Sequence, residues 1–138
     1  MRYFTATVVL LPMAALAAGC NSNNTPTNPT PPQQPIAIVE TFAESLNVNG
    51  GRTHVFAVTT VGTVTARIAT LSDPSAIVGL SMGTWNGSAC QIILANDNAA
   101  LNVTLTGTAN SVGQFCARVY DVGKLTATVD YSIEVTHF

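Results

Sequence analysis

The chain has 138 residues, and 9% of them are charged, against roughly a quarter in soluble domains of average composition. That length has room for one domain. The net charge of −2 gives no basic footprint for nucleic acid and no attraction to an anionic surface.

Residues 1–20 read MRYFTATVVLLPMAALAAGC. Arg2 supplies a short positive start, and an apolar stretch runs from Tyr3 to Leu16. That stretch is shorter than the roughly 20 apolar residues that span a bilayer as a helix, and its layout is that of an export signal. Small residues then lead to a cysteine: Ala17-Ala18-Gly19-Cys20. This run resembles a bacterial lipoprotein lipobox, with Ala17 where leucine is usual and Leu16 one place earlier. The resemblance implies a lipoprotein signal peptide over 1–19 and a mature N-terminus at Cys20 carrying palmitate-class acyl chains. Each buried CH2 of such chains adds about 0.8 kcal/mol of membrane affinity, so several chains together hold firmly. A second reading stays open: secretory cleavage after Ala15-Leu16-Ala17, leaving Cys20 as a loose thiol. Asn21 stands where inner-membrane lipoproteins often carry aspartate, which favours the outer membrane. The expected location is the bacterial cell envelope, with the membrane contacted through the lipid anchor.

Residues 20–35 form the next segment. Pro26, Pro29, Pro31, Pro32 and Pro35 lie here among Asn, Thr, Ser and Gln. With almost no apolar side chains, nothing offsets the entropy cost of folding. The segment reads as a tether, reaching at most about 45 Å if it is fully polyproline-like.

From residue 36 onward the composition shifts to Thr and Val, which suit a pleated, half-buried surface. No sustained 3.6-residue apolar repeat occurs, so strands are expected throughout. The reading places about eight of them: Ile38 to Val48, Thr53 to Thr60, Thr63 to Leu71, Ile77 to Met82, Cys90 to Leu94, Leu101 to Leu105, Gln114 to Tyr120 and Leu125 to Thr136. Between them lie Asn49-Gly50-Gly51, Gly62, Ser72-Asp73-Pro74-Ser75, Gly83 to Gly87, Asn96-Asp97-Asn98 and Gly107 to Gly113, all of turn composition. Asp121-Val122-Gly123-Lys124 reads as a hairpin turn. Val129, Tyr131, Ile133 and Val135 alternate onto one face, as do Val64, Ala66 and Ile68. Short strands at regular spacing predict an all-β sandwich or barrel.

Several pieces together resemble the bacterial pre-peptidase C-terminal (PPC) domain and its relatives. These are the opening strand, THVFAVTTVGTVTARIATL, GLSMGTW, GQFCARVYDVG and the closing VDYSIEVTH. The resemblance covers nearly all of 36–138 and implies a jelly-roll-like antiparallel β-sandwich. Its motifs are structural, so it implies a fold more strongly than an activity. Such domains usually accompany a catalytic partner on the same chain, and no such partner is legible here.

There are three cysteines. With Cys20 assigned to a lipid, Cys90 and Cys116 are expected to pair in an oxidising compartment. Reactive groups are few. His54 starts a strand, and His137 lies beside the C-terminal residue. No G-x-S-x-G elbow supports a nucleophile, and no H-E-x-x-H or C-x-x-C spacing supports a metal. Asn96-Asp97-Asn98, Glu40 and Glu44 are oxygen-bearing but match no regular calcium loop. No cofactor, metal site or catalytic residue is expected. Phe56, Phe115 and Tyr131 read as core, and Arg67 and Arg118 as solvent-facing.

Trp85, in a Gly- and Asn-rich stretch, either closes one end of the core or stacks on a ligand. Tyr120 could add a second contact. The leading expectation is a non-catalytic, lipid-anchored envelope module that binds a protein or peptide. The alternative is a carbohydrate-binding lipoprotein that uses the Trp85 loop.

Overall fold

A computed structural model describes residues 32–138. The expected signal peptide, Cys20 and the tether up to residue 31 lie outside the described residues. Residues 32–37 carry no regular secondary structure and are exposed.

Eight strands follow: β1 (Ile38–Leu46), β2 (Gly51–Val58), β3 (Gly62–Leu71), β4 (Val78–Trp85), β5 (Cys90–Ala99), β6 (Thr104–Ala109), β7 (Gly113–Tyr120) and β8 (Val129–His137). They form two four-stranded sheets, ordered β1-β8-β3-β6 and β2-β7-β4-β5, and every pairing is antiparallel. This is the strand order of a jelly roll, in which consecutive strands mostly switch sheets.

Two-residue alternation sets the inner faces. Along β8, Val129, Tyr131, Ile133 and Val135 are buried while the residues between them are not. Val64, Ala66 and Ile68 do the same on β3. They meet Phe56, Val58, Val78, Leu80 and Val119 of the other sheet in one apolar core, with Phe115 partly buried against it. Each large aliphatic side chain buried this way contributes about 1.5–3 kcal/mol.

Turn chemistry matches the residues present. Asp73 accepts hydrogen bonds from the Ser75 amide (2.9 Å) and hydroxyl (2.7 Å). Asn86 caps the β4–β5 turn by accepting from the amides of Ser88 (3.0 Å) and Ala89 (2.8 Å).

Four sequence expectations are corrected. Gly83, Thr84 and Trp85 belong to β4 and not to a loop, because they pair with Ile92, Gln91 and Cys90. Asn96-Asp97-Asn98 does not end β5. The Asn96 side chain accepts from the Asn98 amide at 2.9 Å, and the local loop is absorbed as a register shift between Val78 and Leu80 on the partner strand. The sixth strand begins later and continues through Gly107 to Ala109, which pair with Val64, Thr63 and Gly62 of β3. Asp121 to Thr128 is no hairpin: it carries the chain from the sheet of β7 to that of β8. There Asp121 accepts from the amides of Asn49 (2.8 Å), Gly123 (2.8 Å), Lys124 (3.0 Å) and Leu125 (3.1 Å). Those bonds, led by the one from Asn49, hold its carboxyl below the ordinary aspartate range.

Candidate functional site

The first candidate is the free edge of β5, a terminal strand of its sheet. Ile92, Ile93 and Leu94 are consecutive and 45%, 67% and 36% exposed. Met82 lies opposite Leu94 and Gly83 opposite Ile92, so Ile93 is the extra residue of a bulge and has no partner on β4. The strand carries no charge before Asp97. Of the other terminal strands, β1 and β2 carry Glu40, Glu44 and Arg52, and β6, also uncharged, is shorter and exposes Thr104, Thr106 and Thr108 in place of large apolar side chains. Protective charges on strand edges guard against unwanted pairing, and β5 lacks them over this run. Ile93 and Leu94 also border an apolar cleft between β5 and β6, with Phe56, Val64, Met82 and Phe115 at its base. Leu94 packs directly onto Gly107 there: a Cβ at that position would lie 2.7 Å from Leu94 Cδ1.

The start of β5 is folded closely over β4. A Cβ on Gly83 would lie 1.9 Å from the Gln91 carbonyl oxygen, so only glycine admits this approach. The fold-over brings Cys90 to Cys116 of β7, and the two form a disulfide with Cα atoms 5.8 Å apart.

The second candidate is the opposite end of the same sheet's outer face. Tyr120 lies against Gly79, where a Cβ would come within 2.3 Å of the ring. Its hydroxyl donates to Asp97 Oδ1. Burial, helped by the Asp97 bond, pushes the phenol up to about 12. Arg118 Cζ stands 5.8 Å from the Tyr120 ring centroid, within cation–π range. Ser81, Ile92, Arg118 and Tyr120 together line a shallow hollow.

Trp85, half-buried, ends β4 opposite Cys90. Tyr120 is opposite Gly79, six positions back along β4. At about 3.3 Å per residue they stand about 20 Å apart, so the structure does not bring these two aromatics into one site.

Both histidines lie on the inner face, near the β1–β2 margin. His54 Nε2 is 2.7 Å from the Tyr131 hydroxyl, and its ring stacks on Phe42 at 4.9 Å. Burial lowers the His54 pKa and raises that of Tyr131. His137 Nε2 donates to Glu40 Oε1 at 2.8 Å, leaving a buried Nδ1 without a partner. Each histidine thus has one polar partner, and neither hydrogen-bonds to a serine or threonine hydroxyl of the described residues. Among the described residues no group of three His, Cys, Asp or Glu is placed to hold a metal.

Solved structures share this fold. One is the Yersinia pseudotuberculosis-derived mitogen (TM-score 0.58, 16% identity), covering 75% of this chain and 88% of that one. Another is Aeromonas hydrophila PliG, a periplasmic lysozyme inhibitor of g-type lysozyme (TM-score 0.54, 16% identity), covering 72% and 85% respectively. At that identity the likeness is one of fold. No protein-family model matches the chain, and no curated protein matches it in sequence.

Sequence reasoning missed the β5 edge. The run Ile92-Ile93-Leu94 has the composition of a buried strand, and only the strand order shows that it is terminal. Arg118 read as solvent-facing, which agrees with its exposure. Its place beside Tyr120 follows from their i, i+2 spacing on one strand.

Proposed function

We propose that this chain is a non-catalytic, lipid-anchored module of the bacterial cell envelope that binds a protein partner along the free edge of β5. One observation carries the reading: three consecutive large apolar residues stand exposed on a terminal strand that carries no charge before Asp97, beside an apolar cleft. Such an edge recognises an extended peptide. Main-chain hydrogen bonds supply affinity, and alternate side chains enter the neighbouring cleft. The occupant is therefore an extended, largely apolar segment of a partner protein.

The fold of PliG, whose inhibitory target is an enzyme and whose location is periplasmic, supports a protein-directed role in the envelope. Cys20 is the proposed lipid attachment point, residues 20–35 the proposed tether, and Asn21 supports the outer membrane. The resemblance of the folded part to PPC domains belongs to the same reading, that of a companion module without chemistry of its own. The glycan reading has less support, because Trp85 and Tyr120 stand too far apart to grip one short sugar.

The test is site-specific photo-crosslinking in living cells. A crosslinker replacing Ile93 is expected to give one discrete protein adduct, and one replacing Thr41, exposed on β1, none. An absent adduct at position 93, or the same adducts from both positions, would overturn the reading.

A further inference from the structure

Two crossovers between the sheets meet at one end of the sandwich, and each carries an exposed valine. Residues 59–61 lead from β2 to β3, and residues 110–112 from β6 to β7. Val58 pairs with Gly113 and Gly62 with Ala109, so the two connections run side by side. Val61 is 55% and Val112 61% exposed. The chain enters the fold at the same end. Pro35 and Ile36 line a hollow with Thr59, Thr60 and Phe138, and the amides of Thr59 and Thr60 both donate to the Phe138 carbonyl oxygen at 3.0 Å. Ile36 is 80% exposed there, and Ile38 and Val39 follow it, also exposed, at the start of β1. Half-buried Trp85 ends β4 at this end too, because its neighbour Thr84 lies opposite Phe115, near the start of β7.

We infer that this end of the sandwich rests on the lipid bilayer, with its aliphatic tips among the headgroups and upper acyl chains. The inference rests on the proposed anchor at Cys20 and deepens it by naming the surface that the anchored domain turns to the membrane. The place where the chain arrives is the first support. A tether from Cys20 to residue 35 reaches at most about 45 Å. An anchored domain therefore stays near the bilayer, and its high effective concentration populates a contact too weak to hold the free domain on lipid.

The distribution of charge is the second support. Residues 32–37, 59–61, 86–89, 110–112 and 138 include no Asp, Glu, Lys or Arg. The connections at the opposite end hold Asp73, Asp121 and Lys124. Pressing a charge against hydrocarbon is costly, and pressing a valine or isoleucine there is favourable. Exposed apolar groups gathered at one place mark an interaction surface, and tryptophan suits a membrane interface because its apolar ring carries one polar N–H. The chain's net charge of −2 gives no attraction to anionic lipid, so the contact is apolar and insensitive to salt. Strand β5 starts at this end with Cys90 and runs away from it, which leaves the edge beyond open to its partner.

The probe is the full chain, purified from cell membranes and reconstituted into vesicles of phosphatidylethanolamine and phosphatidylglycerol, with and without bromine on the acyl chains. Trp85 is the only tryptophan, and bromine quenches an indole only at short range. Trp85 emission is expected to drop in the brominated vesicles, equally at low and high salt. Val61→Asp with Val112→Asp should restore the emission while the protein still floats with the vesicles and keeps its circular dichroism. In Trp85→Phe with Val48→Trp the reporter moves to the β1–β2 turn at the opposite end, and its emission should not change. Unquenched Trp85 in a chain that floats, quenching that survives the two aspartates, or equal quenching at positions 85 and 48 would overturn the membrane-facing end and leave the anchor standing. A chain that does not float with the vesicles would remove the anchor and this inference with it.

Discussion

Gly83 and the disulfide form one device, and their coupling is measurable. Substituting Gly83 by Ala places a methyl group 1.9 Å from the Gln91 carbonyl oxygen, 2.6 Å from its carbonyl carbon and 2.9 Å from Ile92 Cα. These are backbone atoms, so the strand itself must lift. Overpacking of this kind costs about 1–3 kcal/mol, and a backbone obstacle puts it at the upper end. The disulfide resists the lift, because Cys90 adjoins Gln91 and is tied to Cys116 of β7. Removing it as Cys90→Ala with Cys116→Ala opens a loop with a sequence separation of 26, worth about 3.5 kcal/mol in the chain-entropy model. In that background β5 is free to rise, and Gly83→Ala should cost less than about 1 kcal/mol, a coupling of about 2 kcal/mol. Urea denaturation of the four forms, each begun at Asn21 and followed by circular dichroism, gives the cycle. Equal costs of Gly83→Ala in both backgrounds would refute the idea that the staple holds β5 against β4.

Further outcomes follow from the titrating groups and the leader. His54 in an unfolded chain titrates near 6.5, and burial lowers that value in the fold. Below pH 6.5 the unfolded chain therefore binds more protons, and stability should fall with pH by at most about 1.4 kcal/mol per unit until the folded imidazole itself protonates. His54→Gln should flatten that part of the curve in urea melts taken between neutral and mildly acidic pH; an unchanged slope would contradict it. For Tyr120, raised to about 12, and Tyr131, raised by burial, ultraviolet titration of the form begun at Asn21, which lacks Tyr3, should show no phenol ionising at the ordinary value of 10. Asp97→Asn should move one transition downward. Mass spectrometry of the mature protein should find an acylated Cys20 and no free thiol, and an unmodified N-terminus elsewhere would sink the anchor.

Strand existence was legible because two-residue alternation is a local property. Val129, Tyr131, Ile133 and Val135 announce an inner face from sequence alone and are buried. The disulfide was legible from a cysteine count and a compartment. Strand ends were less so. Asn96-Asp97-Asn98 and Gly107 have turn composition, yet a register shift keeps the first inside β5 and the packing of Leu94 explains the second. Which strands end each sheet depends on the pairing order, a property of the whole chain. The apolar run Ile92-Ile93-Leu94 has the composition of an interior strand, and only the order places it at an edge. Trp85 sat one strand-end away from its expected loop, because its pairing with Cys90 is set by the fold-over at Gly83.

Amide hydrogen exchange, with and without a bound segment, reports most directly on how this protein makes contact. With an extended apolar partner segment bound, the amides of β5 that point away from β4 should exchange markedly more slowly, while those of β1 and β2 keep their rates. Slowed exchange confined to the surroundings of Trp85, with β5 unchanged, would contradict recognition by strand addition.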